Sequence, residues 1–185
     1  MPLVLEVLKE PKGGKPRSDL LDDLSVQARR QRALDWLTGA KPSEPERDDV
    51  ARVLDAIVTN QPEKNLEEVL RALKAMKTWV HPSNFNALCK LLNDRSFDRT
   101  SPKPGFEACS LAMQIIGKQE DERAAAAVAT MLVSEPFLQN EAKNVLIQMG
   151  PIAAKEVTKY LQHEDEGVRE AAKTVLAFIQ AKNKK

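Results

Sequence analysis

A chain of 185 residues has room for one domain or one short repeat array, and its 42% apolar content is enough for a core. Aromatics make up only 4%, with Ala and Leu dominant, which suits helix packed on helix and disfavours a sheet core. Lys plus Arg number 28 against 27 Asp plus Glu, a net charge of +1 that argues against general nucleic-acid binding, and no apolar run approaches the roughly 18 residues needed to span a membrane.

Residues 1–18 read as a flexible basic arm. Pro11, Gly13, Gly14 and Pro16 break regular structure, and Lys9, Lys12, Lys15 and Arg17 make the segment basic. Glu6 interrupts the apolar run Leu3–Leu8 and no basic stretch precedes it, so it does not read as a secretory signal, and a cytoplasmic setting is expected. Residues 19–45 read as a helix and a link: Ser18-Asp19 caps a helix to about Thr38, with Leu20, Leu21, Leu24, Ala28, Leu34 and Leu37 as its stripe and Trp36 as an anchor. Arg29, Arg30 and Arg32 are the densest basic cluster, read either as a solvated face or as a docking patch for an anion.

From residue 46 to 181 the periodicity predicts helices in pairs, over 46–80, 82–117, 120–149 and 151–180. Leu66, Val69, Leu70, Leu73, Met76, Trp79 and Val80 keep the 3.6-residue period best. The segment 93–105 is long for a link inside a helix pair. Ala124–Ala127 favours helix and close packing, and Pro136 opens a helix whose stripe is read as Phe137, Leu138, Ala142, Val145, Leu146 and Met149. Residues 182–185 read as a frayed basic tail.

The last pair, Pro151–Ile179, is the most informative. Gly150 and Pro151 separate it from the preceding helix, Ile152, Val157, Tyr160 and Leu161 form one stripe, and Asp165 stands ready to cap the second helix. That helix carries Val168-Arg169-x-x-Ala172-x-x-x-Leu176-x-x-Ile179. Upstream, Glu141-Ala142 and Glu107-Ala108 echo Glu170-Ala171, while Met131-Leu132 echoes Tyr160-Leu161. A helix pair this short cannot bury its apolar face alone, whereas stacked copies can. The pattern resembles the HEAT repeat in its short bacterial form. The resemblance implies an all-α fold: a right-handed α-solenoid of stacked antiparallel helix pairs, about nine helices in all. It also implies that Asp165 and Arg169 bond across repeats and that second helices line the concave side.

No catalytic, metal or cofactor constellation stands out. His81 and His163 lack partners at metal-ligand spacing, Gly13-Gly14 is too isolated to cradle a phosphate, and Cys89 and Cys109 read as buried thiols. If the three clearest pairs stack in register, Glu107, Glu141 and Glu170 form one column, Ser110, Asn144 and Lys173 the next, and Gln114 and Gln148 part of a third. The expected function is therefore a non-catalytic protein-interaction scaffold whose Glu-lined strip takes a basic or polar peptide. HEAT-like enzymes, namely DNA glycosylases and phycobilin lyases, and nucleic-acid accessory proteins are the alternatives that the resemblance admits. A glycosylase would need a basic concave face rather than one lined by Glu.

Overall fold

The computed structural model describes residues 2–9, 20–60, 65–93, 104–119 and 121–183. Among them all regular structure is helical: α1 (Pro2–Lys9), α2 (Leu20–Gly39), α3 (Glu44–Asn60), α4 (Leu66–Thr78), α5 (Phe85–Asn93), α6 (Pro104–Ile116), α7 (Glu122–Ala129), α8 (Pro136–Met149), α9 (Pro151–Thr158) and α10 (Glu166–Asn183). Single 3-10 turns follow at Pro82–Asn84, Thr130–Val133 and Lys159–Gln162. The all-helical class expected from the sequence holds. Of the expected arm, residues 10–18 lie outside the described residues, as do 94–103 of the long link. The chain divides into two compact units, Met1–Asn84 and Phe85–Lys185.

The first unit corrects the reading of residues 2–9 as a flexible arm. They form α1, which lies against α2 and α3. Leu5 and Leu8, three residues apart on one face, are buried, while Leu3 stays exposed. The carbonyls of its last turn meet Arg30 of α2, whose Nη1 donates to Leu8 O at 2.7 Å and Val7 O at 3.5 Å. A cation at a helix C-terminus satisfies acceptors that have no partner within the helix.

The direction of α4 relative to α2 follows from the bonds between them. Arg30 pairs with Glu68, Asp35 with Arg71, the Trp79 Nε1–H donates to Leu37 O at 2.8 Å, and Thr78 Oγ1 donates to Thr38 O at 2.9 Å. Arg30 and Asp35 meet Glu68 and Arg71, and further along both segments Leu37 and Thr38 meet Trp79 and Thr78, so α2 and α4 run parallel; α3 also packs on α4. Trp79 is wholly buried at this junction. Trp36, expected to anchor α2, is instead 49% exposed. Leu34 and Leu37 are completely buried and already define the inner face, from which Trp36 is turned by the helical period.

In the second unit, consecutive pairs share neighbours in two rows. The first helices contact one another in the order α5, α7, α9, and the second helices in the order α6, α8, α10. Within each pair α5 packs on α6, α7 on α8 and α9 on α10. Small residues line these contacts: Ala108, Ala112, Ala124, Ala125, Ala142, Ala153 and Ala172 are at most 1% exposed. The sequence echo of Met131-Leu132 and Tyr160-Leu161 has a local counterpart, since each dipeptide lies in the 3-10 turn that ends its first helix. Gly150 ends α8 with φ 66° and leads directly into Pro151.

Two helix starts are capped by aspartates. The Arg123 N–H donates to Asp121 Oδ1 at 2.8 Å, and the Val168 N–H to Asp165 Oδ1 at 3.2 Å. The Arg169 N–H donates to Asp165 O at 3.2 Å, while its guanidinium turns to other acceptors. Its Nη1 donates to His163 O at 2.8 Å and Glu164 O at 2.7 Å, so it closes the turn of its own pair.

Gly117, just past α6, lies tight against Val145 of α8. A Cβ there would collide with Val145 Cγ1 and lie 3.0 Å from Met113 O. Val145 is β-branched, buried and unable to swing aside. Gly117→Ala is expected to lower stability by about 1–3 kcal/mol through overpacking. Adding Val145→Ala should recover part of that loss, as a rise in urea midpoint at unchanged m-value.

Candidate interaction surface

The residues expected to form a polar strip lie on the second-row helices, where inward positions are occupied by the alanines and leucines of the stripe and the remaining turns face outward. Glu107, Asn144, Gln148, Glu170 and Lys173 are exposed, and Ser110, Gln114 and Glu141 are half-buried. Ser110 of α6 donates from Oγ to Glu141 Oε2 of α8 at 3.2 Å, and Gln114 donates from Nε2 to Ser110 Oγ at 3.3 Å. Ser110, Gln114 and Glu141 are thus brought together between adjacent helices. On α10, Lys173 pairs with Glu170 at 2.7 Å along its own helix. The structure therefore ties Glu141 to Ser110, about one turn along α6 from Glu107.

Sequence reading missed an aromatic feature on the same helices. Phe106 near the start of α6 and Phe137 near the start of α8 lie with ring centroids 6.1 Å apart at 40°, a distance at which aromatic pairs attract. Phe137, read as part of the inward stripe, is 54% exposed. The signal was present: Leu138, Ala142, Val145 and Leu146 keep the i, i+4, i+7, i+8 spacing, and Phe137 stands one residue off it.

The basic cluster is divided between surface and interior. Arg29 and Arg32 are exposed, but Arg30 between them is buried in the pair with Glu68. A docking site for an anion centred on that triplet loses its middle charge to the interior.

Chemistry elsewhere resolves into structure. His81 Nε2 meets Asp48 Oδ1 at 3.0 Å and His81 Nδ1 meets Ser83 Oγ at 2.8 Å, an order of groups that resembles a Ser–His–Asp relay. The same Nδ1 also accepts the Ser83 backbone N–H at 3.2 Å, and the Asp48 side chain is 79% exposed. The arrangement therefore serves as a cap on the 3-10 turn at Pro82–Asn84, with its carboxylate in high dielectric. Beside it, Asn84 is fully buried and donates from Nδ2 to Asp55 Oδ1 at 2.6 Å and Ala51 O at 3.3 Å, which ties that turn to α3. Burial pushes the Asp55 carboxyl above its ordinary range, opposed by the Asn84 bond and the His81 charge.

In the second unit, Arg123 is held by Asp121 and lies 4.5 Å from the centre of the Phe85 ring. Cys89 lies nearby, and burial raises its thiol above the usual range despite the pull of Arg123, which is the opposite of an activated thiolate. Cys109 is buried, as expected, and Cys89 is half-buried. Among the described residues no group of three or more His, Cys, Asp or Glu is placed to hold a metal ion, and no helix is long and apolar enough to cross a membrane. No family model, no curated protein and no solved structure matches the chain.

Proposed function

We propose that this chain is a non-catalytic interaction scaffold of stacked HEAT-like helix pairs, and that it binds a basic or polar peptide of a protein partner along α6, α8 and α10. The observation that carries the reading is the two-row neighbour pattern of the second unit, in which first helices touch first helices and second helices touch second helices. Repeat stacks have this pattern because each pair covers the apolar face that its neighbour leaves open. The outward turns of the second row then become a continuous surface, and Glu107, Glu141 and Glu170 give it an acidic bias. The exposed Phe137 and its contact Phe106 add an apolar anchor at one end, of the kind that supplies most binding energy in interfaces.

Peptide selection on the intact chain tests this. Selected peptides should be enriched in Lys and Arg beside an apolar residue. Reversing Glu107, Glu141 and Glu170 to Lys should weaken them about tenfold or more, chiefly by slowing association at low salt. Selection without basic bias, or binding unchanged by the triple reversal, would overturn the reading.

A further inference from the structure

The second row of helices carries an exposed apolar group at each end of its acidic strip. Large apolar side chains that face solvent are few. Among the described residues they are Leu3, Trp36, Phe137 and Phe178, and the two phenylalanines belong to α8 and α10, which pack on each other. On α8, Phe137, Glu141, Asn144 and Gln148 keep the i, i+4, i+7, i+11 spacing of one helix stripe, with the ring at the N-terminal end. On α10 the stripe is Glu170, Thr174 and Phe178, at i, i+4 and i+8, with the ring toward the C-terminus. All three are exposed, and the Thr174 hydroxyl donates to Glu170 O at 2.8 Å. The two glutamates therefore stand between the two rings. Phe106 lies 6.1 Å from Phe137, so one end is an aromatic pair and the other a single ring.

Ser110 meets Glu141, and further along both helices Gly117 meets Val145, so α6 and α8 run parallel. A stack of antiparallel pairs gives α10 the same direction. With Glu141 and Glu170 level, the rise from Phe137 to Glu141 and from Glu170 to Phe178, with one helix spacing between, sets the rings about 20 Å apart. An extended chain covers that distance in about six residues, an even number that returns side chains to the same face.

We infer that, granted the acidic strip as the peptide surface, its ligand is an extended segment with two apolar residues about six positions apart and Lys or Arg between them. One apolar side chain covers Phe137 and Phe106, the other covers Phe178, and the cations lie over Glu141 and Glu170. Glu170 holds Lys173 at 2.7 Å in an exposed pair along its own helix, which costs little to exchange for a ligand cation. The charges attract any basic segment. Phe178 determines specificity, because only the distance between the rings selects the spacing of the apolar residues.

Fluorescent peptides added to the full-length chain test this by anisotropy. The first has leucines about six positions apart with Lys and Arg between them, and the second has one leucine replaced by serine. The two-leucine peptide is expected to bind about tenfold more tightly than the one-leucine peptide. Phe178→Ala should erase that advantage and leave the one-leucine peptide, which keeps the Phe106–Phe137 contact, where it was. Phe178 is 57% exposed, so this variant should unfold at an unchanged urea midpoint. No advantage in the natural chain, or one that survives Phe178→Ala, would overturn the inference. So would tighter binding of leucines about fourteen positions apart, which give a similar span on a helix. Those results leave the acidic surface standing, because it is read separately: reversing Glu107, Glu141 and Glu170 to Lys should weaken both peptides alike. Affinity unchanged by that reversal would overturn the surface and the inference with it.

Discussion

Arg30→Met is expected to lower the stability of the first unit by about 3–5 kcal/mol, the range for removing one partner of a buried ion pair. The Arg30 and Glu68 side chains are 8% and 3% exposed, with Nε and Oε1 2.8 Å apart. A buried pair gains little over an apolar pair of the same shape, because desolvating two charges offsets their attraction. Breaking it is another matter, since the remaining carboxylate keeps the whole desolvation penalty and loses its counter-charge. The loss here extends to α1, because the same guanidinium accounts for the Leu8 and Val7 carbonyls. The double variant Arg30→Met, Glu68→Met should be less damaged than Arg30→Met alone. Urea unfolding of the two single variants and the double variant measures that coupling. The difference should change little with salt, because buried charges are poorly screened.

Trp79→Ala is expected to cost about 3–5 kcal/mol, and Trp79→Phe about 1–3 kcal/mol. Trp79 is the largest wholly buried side chain, so truncation to Ala leaves a cavity that the helices around it cannot fully close. Phe restores most of the volume but offers no N–H, so Leu37 O at the end of α2 loses a 2.8 Å bond in a buried place. The two variants thus separate packing from hydrogen bonding at one site. Thermal unfolding followed by far-ultraviolet circular dichroism reads both, and equal losses for Ala and Phe would show that the hydrogen bond, not the volume, governs the junction.

The helical class was legible because periodicity and capping are local. Leu66 to Met76 repeats at the helical period, Pro136 and Pro151 stand at helix starts, and Asp165 caps α10 as its position predicts. What escaped the sequence is what depends on distant partners. Arg30 is one of three nearby arginines and nothing local distinguishes it; its partner Glu68 lies 38 residues away. Half of that clamp had a local signal, since Asn65 three residues before Glu68 is a capping-box spacing. The helix α1 escaped for the same reason: eight residues interrupted by Glu6 are not helical on propensity alone, and only the contacts of Leu5, Leu8 and the last-turn carbonyls make them so. In the second unit the aligned glutamates marked the outward turns, but which neighbour each one meets depends on how far one helix slides along the next. That offset set Glu141 against Ser110 and no single-sequence pattern encodes it.

Gly150 has a consequence for how the last two pairs are joined. The chain reverses from α8 into α9 through this one residue, at φ 66° and ψ −136°. A side chain larger than hydrogen is strained in that backbone conformation. One pair of dihedral angles therefore sets the angle between the two helices, with no slack to take up an extra or missing residue. Variation in length is best absorbed at the polar turns within pairs, while this corner acts as a fixed elbow that carries any tilt of α8 straight into α9.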